Sequence, residues 1–183
     1  MLRHAGKCKF ALFALVLFAL STQAEAAQKS SNPKPPIAIG GFAHEYLSRG
    51  QVHMNVCRQS TCVPGSKVSY QIYSPDRKPN FEDFKLVQKK VAAHFKARAP
   101  KGTKLKFGKP TREKDRLFTT FTNYREMHFA GGGKQFTKSM VIYAEKVTIS
   151  LISSSNRKKT AEANSDLFLI GLMTWSQTLK DAK

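Results

Sequence analysis

The chain has 183 residues, 31 Lys+Arg against 12 Asp+Glu, and a formal charge of +19. With 41% hydrophobic residues it is too apolar for a disordered polyelectrolyte, and its length suits one domain plus a targeting segment. Acidic residues are sparse, and no GxSxG, HExxH or Cys/His nucleophile signature occurs, so a non-catalytic protein without a cofactor is expected.

Residues 1–26 read as a secretory signal peptide. Arg3, Lys7 and Lys9 precede an apolar run of 11 residues, Phe10 to Leu20. Ala24-Glu25-Ala26 then supplies a small-x-small cleavage pattern. The run falls short of the roughly 20 residues that span a bilayer. Cys8 lies before the run, which argues against a lipoprotein acylation site, and no later segment is long and apolar enough to cross. Cleavage removes three basic residues and Glu25, leaving +17. Residues 27–36, with QKSSNPKPP, form a polar, Pro-rich leader, and residues 37–183 form a single domain. Periplasmic or secreted localisation follows.

Cys57 and Cys62 remain after cleavage. An even number in an exported chain suggests a disulfide, and their C-x4-C spacing is neither a redox nor a zinc motif. Val52, Met54 and Val56 alternate with His53 and Asn55, and Val68, Tyr70 and Ile72 with Ser69 and Gln71. Both segments read as strands with one apolar face. They form a hairpin whose connecting loop is stapled by the cysteines. That shaped loop, with Arg58, Gln59, Ser60 and Thr61, is a plausible contact site.

Asn80 caps a helix with Glu82 and Asp83 in its first turn. Phe84, Val87, Val91 and Phe95 make its buried face, and Pro100 and Gly102 end it. A short strand at Leu105 and Phe107 and a longer one over Leu117–Phe129 follow. Gly131 to Gly133 makes a hairpin turn, since GGGK followed by Gln135 is not a phosphate-binding loop. Strands flank Ala144-Glu145-Lys146, the second with Val147, Ile149 and Leu151 inward. The closing helix runs from about Thr160 to about Leu179. Its expected apolar stripe is Ala163, Leu167, Ile170, Met173, Trp175 and Leu179, widened by Leu169 and Leu172. The fold class is therefore α+β: an antiparallel sheet packed by two main helices, with a stapled hairpin near the start. This element order, over Phe81–Ala99, Leu105–Ser154 and the closing helix, resembles the PsbP-type α/β/α fold. The resemblance implies a non-catalytic accessory or binding module and assigns no residue a role.

The densest charge lies in Lys85, Lys89, Lys90, Lys96, Arg98, Lys101, Lys104, Lys106, Lys109, Arg112, Lys114 and Arg116, opposed only by Glu113 and Asp115. Shared on one face, they would bind anions. The reading is an exported binding or accessory protein of a Gram-negative envelope. Its partner would be lipopolysaccharide, phospholipid, a cell-wall polymer or an acidic protein, with nucleic acid less expected. One alternative is a periplasmic hydrolase-like enzyme with His44, Glu45 and His128 in one cleft. Another is a secreted effector or inhibitor using an apolar patch beside the stapled loop. His44, Glu45 and His53 match no metal-binding spacing.

Overall fold

The computed structural model describes residues 33–75 and 80–179. The expected signal peptide, most of the leader and the last four residues lie outside the described residues. No described helix is long and apolar enough to cross a membrane.

Eight strands and two helices follow in chain order: β1 (Phe42–Leu47), β2 (Val52–Cys57), β3 (Lys67–Tyr73), α1 (Phe81–Arg98), β4 (Lys104–Phe107), β5 (Thr111–Lys114), β6 (Phe118–His128), β7 (Lys134–Ala144), β8 (Thr148–Ser155) and α2 (Lys158–Gln177). They form one antiparallel sheet, ordered β1-β2-β3-β8-β7-β6-β4. β5 shares the outer edge of β6 with β4. Gly108 and Pro110 separate the two short strands. Gly108 still donates to the Tyr124 carbonyl at 2.8 Å, but Pro110 has no N–H to offer a ladder. The α+β architecture and the stapled hairpin are as the sequence predicts. β1 and β5 are additional strands.

The centre of the sheet carries the core. Val68, Tyr70, Ile142, Ile149, Leu151, Phe168 and Leu172 are essentially inaccessible. The turn at 144–147 closes through the Ala144 N–H and the Val147 carbonyl at 3.0 Å, and Gly132 takes the positive φ needed between β6 and β7.

Three predicted faces are different in the structure. On β2 it is His53, Asn55 and Cys57 that are buried, while Val52, Met54 and Val56 are half-buried. The register explains this. His53 lies opposite Tyr70 and Asn55 opposite Val68, cross-strand partners share a face, and the Val68–Tyr70 face is the core. On α2 the buried positions are Ala161, Ser165, Phe168, Leu172 and Ser176, and Leu167 and Ile170 are exposed. The small residues let the helix sit close to the sheet, which puts Phe168 edge-on to Phe42 at 5.2 Å. On α1 only Phe84 is buried, and Val87 is 52% exposed.

The helices lie on opposite faces. α2 packs on β3, β8 and β7, whereas α1 meets β6. Each helix thus covers part of one face, and among the described residues neither helix packs closely over β6 and its edge partners on α2's side of the sheet.

Candidate functional site

The Asn80 side-chain oxygen accepts from the Glu82 and Asp83 N–H groups at 3.0 and 3.3 Å, starting α1 as the sequence predicts. Phe81 and Phe84 then seat on Phe121 at 5.1 and 5.6 Å between ring centres. This leaves Lys89, Lys90, Lys96 and Arg98 exposed on the helix. Lys85 pairs with Glu82 at 2.6 Å, Lys96 lies 6.0 Å above the Phe107 ring, and Arg98 contacts His94 at 3.1 Å. Lys101 is in the turn after α1, Lys109 between β4 and β5, and Arg116 after β5. Among the described residues, Lys89, Lys90, Lys101, Lys109, Arg112, Lys114 and Arg116 have no carboxylate within salt-bridge distance.

The twelve predicted cations do not share one face. Arg112 lies opposite Phe121, which is α1's side. Lys104 and Lys106 lie opposite His128 and Glu126. Those alternate with Arg125, whose guanidinium stacks on Phe95 of α1 at 3.7 Å, so Lys104 and Lys106 emerge on the other face. There they join Lys134, Lys138 and Lys158, which sequence reasoning missed. Lys134 and Lys138 stand opposite His128 and Tyr124, and Lys158 opens α2. Strand register was the missing signal. The result is one basic surface along α1 and the β4–β5 edge, and a second around a concave site on α2's side.

That concave site has two adjoining parts. A cleft of about 260 Å³ is bounded by Lys106, Tyr124, Glu126, Phe136, Lys158 and Glu162. A neighbouring hollow of about 550 Å³ continues over Thr120, Thr122 and Phe118 towards Leu169. Tyr124 and Lys138 line both. The Glu126 carboxylate is held below its ordinary range, first by its hydrogen bond to His128, then by the charges of His128, Lys106 and Lys134, with desolvation opposing.

Across the sheet, a groove of about 770 Å³ runs between α1 and β7–β8, past Val87, Val91, Val141 and Ile152. Arg125 reaches it. Burial lowers the Arg125 pKa, its Nη2 donates to Thr137 at 3.3 Å, and its buried Nε has no partner among the described residues.

The disulfide joins Cys57 and Cys62 with Cα atoms 5.8 Å apart. Its loop rests against Gly41. A Cβ there would stand 2.5 Å from Thr61 Oγ1 and 3.2 Å from Cys62 Sγ, and φ is +85°. Beside the loop, Val63, Phe42, Asn164 and Leu167 bound a hollow of about 430 Å³, and Leu167 is 46% exposed.

His44, Glu45 and His128 are not brought together. β1 and β6 are five strands apart in the sheet, roughly 24 Å at about 4.8 Å per strand. Glu45 faces away from His44 and accepts from Arg58 at 2.7 Å. His44 instead meets His53 at 3.0 Å, and His53 stacks on Tyr70 at 4.9 Å between ring centres. Among the described residues no three His, Cys, Asp or Glu side chains group as a metal site.

No family model matches the sequence, and no curated protein matches it. Solved structures with some likeness include a Pseudomonas aeruginosa protein of unknown function, at 10% identity and TM-score 0.39, covering 79% of this chain and 99% of that one. The Saccharomyces cerevisiae Ran-binding protein Mog1p aligns at 10% identity and TM-score 0.38, covering 76% of this chain and 83% of that one. Likeness at this level carries no argument about function.

Proposed function

We propose that this is an exported, non-catalytic binding or accessory protein of a Gram-negative envelope, resident in the periplasm or secreted. It engages lipopolysaccharide, phospholipid, a cell-wall polymer or an acidic protein through the cations of α1 and the β4–β5 edge. The observation that carries this reading is the row of exposed cations without carboxylate partners, from Lys89 through α1 and on to Arg112, Lys114 and Arg116. Unpaired surface ammonium groups keep their full attraction for a polyanion, and that attraction weakens as salt shortens the Debye length. A disulfide in the β2–β3 hairpin suits an oxidising compartment. The PsbP-type likeness in element order agrees with an accessory role.

The test is titration of the purified, oxidised protein with lipopolysaccharide, anionic vesicles and cell-wall fragments at low and high salt. Tight binding to one polyanion that survives competition by the others supports a dedicated ligand. Weak, interchangeable binding that disappears with salt rejects it.

A second reading has its own observation. The stapled loop flanks a hollow at which Leu167 is exposed and Val63 half-buried, an apolar contact point that an effector or inhibitor acting on a protein target could use. Leu167→Asp, which leaves the basic surface intact, separates the two: it abolishes binding to a protein target and spares binding to polyanions.

A further inference from the structure

We propose that the groove between α1 and β7–β8 binds a single-chain carboxylate, the chemistry of a free fatty acid, with its chain along the groove and its head at Arg125. α1 packs closely on β6. Beyond that contact, helix and sheet part to leave the groove of about 770 Å³, within the roughly 300–1,000 Å³ of small-molecule sites. Much of its wall is apolar, with Val87 and Val91 from the helix and Val141 and Ile152 from the sheet. Val87 is 52% and Ile152 41% exposed, so an entering chain takes their apolar area out of water. Gln88, on the same wall, is already held by the Asn123 amide at 3.1 Å. Along β7, Ser139 to Tyr143 covers about 14 Å at about 3.4 Å per residue. One leaflet of a bilayer holds roughly 15 Å of acyl chain, half of a core about 30 Å thick.

Charge selects and orients the occupant. Of the lining residues, Arg125 and Asp83 alone carry charge. Asp83 is exposed in the first turn of α1, about 18 Å along the helix from Phe95 at about 1.5 Å per residue. Arg125 stands at the Phe95 end, stacked on that ring. Among the described residues no carboxylate lies within salt-bridge distance of it. Thr137 takes one of its five N–H donors. Its Nε is shut away from solvent, so a ligand meets the terminal nitrogens. A half-buried guanidinium without a counter-charge is completed by an anion, and its fork of N–H groups fits a carboxylate. A phosphate monoester carries close to two charges at pH 7, and no second cation lines the groove to answer it. An extended peptide finds no free strand edge, because β7 and β8 are each paired on both sides.

This site uses none of the outer cations of α1 on which the proposed function rests, so either can fail without the other. The experiment is a methyl chemical-shift titration of the oxidised protein with decanoate, hexanoate and decyltrimethylammonium. It is run at high salt, where exposed cations are screened and a half-buried pair much less. Decanoate shifts Val87, Val91, Val141 and Ile152. It binds about 10-fold or more tightly than hexanoate, which has four fewer methylenes to bury. Decyltrimethylammonium, with the same chain and the opposite charge, binds at least about 10-fold more weakly. Arg125→Gln weakens decanoate binding by roughly 10-fold, the range for a charged hydrogen bond. Ile152→Asp, at an exposed position outside the core, weakens it at least as much, and Lys89→Glu with Lys90→Glu leaves it unchanged. The proposal is overturned if hexanoate or decyltrimethylammonium matches decanoate, or if Ile152→Asp binds decanoate like the parent protein. It is also overturned if the shifts map outside the groove, or if none occurs at roughly 5 mM, weaker than a millimolar Kd.

Discussion

His53 is buried where the alternation of β2 predicts a polar residue facing water. It lies between the rings of Tyr46, Tyr70 and His44. Its hydrogen bond to His44 needs one imidazole to accept, so the pair resists double protonation. Burial is the larger cause of its lowered pKa and the His44 charge the smaller. A base whose folded pKa lies below its ordinary 6.5 takes up fewer protons folded than unfolded. Its stabilising contribution is therefore present above pH 6.5 and lost as the pH falls below it. Thermal unfolding between pH 8 and pH 5 should show a falling midpoint, and the slope should flatten in His44→Gln. An identical slope in that variant contradicts the pairing. Neither histidine was assigned this role from sequence, because the contact spans two strands and depends on their register. The same limit applies to Lys134 and Lys138. Cys57 and Cys62, five positions apart, were legible because a short-range pair in an exported chain needs no register.

Elements were more legible than their faces. Both helices and six of the eight strands follow from periodicity, caps and turn residues. β5 has four exposed residues with no apolar alternation, and β1 is short and follows the leader. The α2 face was misplaced because an apolar stripe ignores Ser165 and Ser176, which are buried through their small size. Ser165 Oγ lies 3.0 Å from Met140 Sδ, and Ser176 Oγ donates to the Met173 carbonyl at 2.7 Å. Two substitutions on this helix should differ sharply in denaturant unfolding. Phe168→Ala should cost about 3–5 kcal/mol through loss of a fully buried ring, and Ile170→Ala, at 66% exposure, within about 0.5 kcal/mol. Equal costs would mean the helix is rotated. Replacing both Cys57 and Cys62 by Ala should cost about 2 kcal/mol on the chain-entropy account of so short a loop, with β2 and β3 still paired. A loss of β2–β3 pairing would give the staple a larger part in the fold than its loop length implies.

For the molecule as a whole, charge was readable in amount but not in placement. The run Lys85 to Arg116 crosses a helix, a turn and two edge strands, and pleating sends Lys104 and Lys106 to the face away from α1. What remains on α1's side and along the edge is still a dense, largely unpaired set of cations, and it is the basis of the proposed function. The deciding measurement compares two double charge reversals in binding to anionic vesicles: Lys89→Glu with Lys90→Glu on α1, and Lys158→Glu with Lys159→Glu at the start of α2. Both lower the net charge equally, so any difference reports placement rather than total charge. The account predicts that the α1 reversal removes most of the binding, by about 10-fold or more at low salt, and that the α2 reversal has a minor effect. Equal losses from the two reversals would show that attraction is set by net charge alone and contradict a dedicated surface on α1.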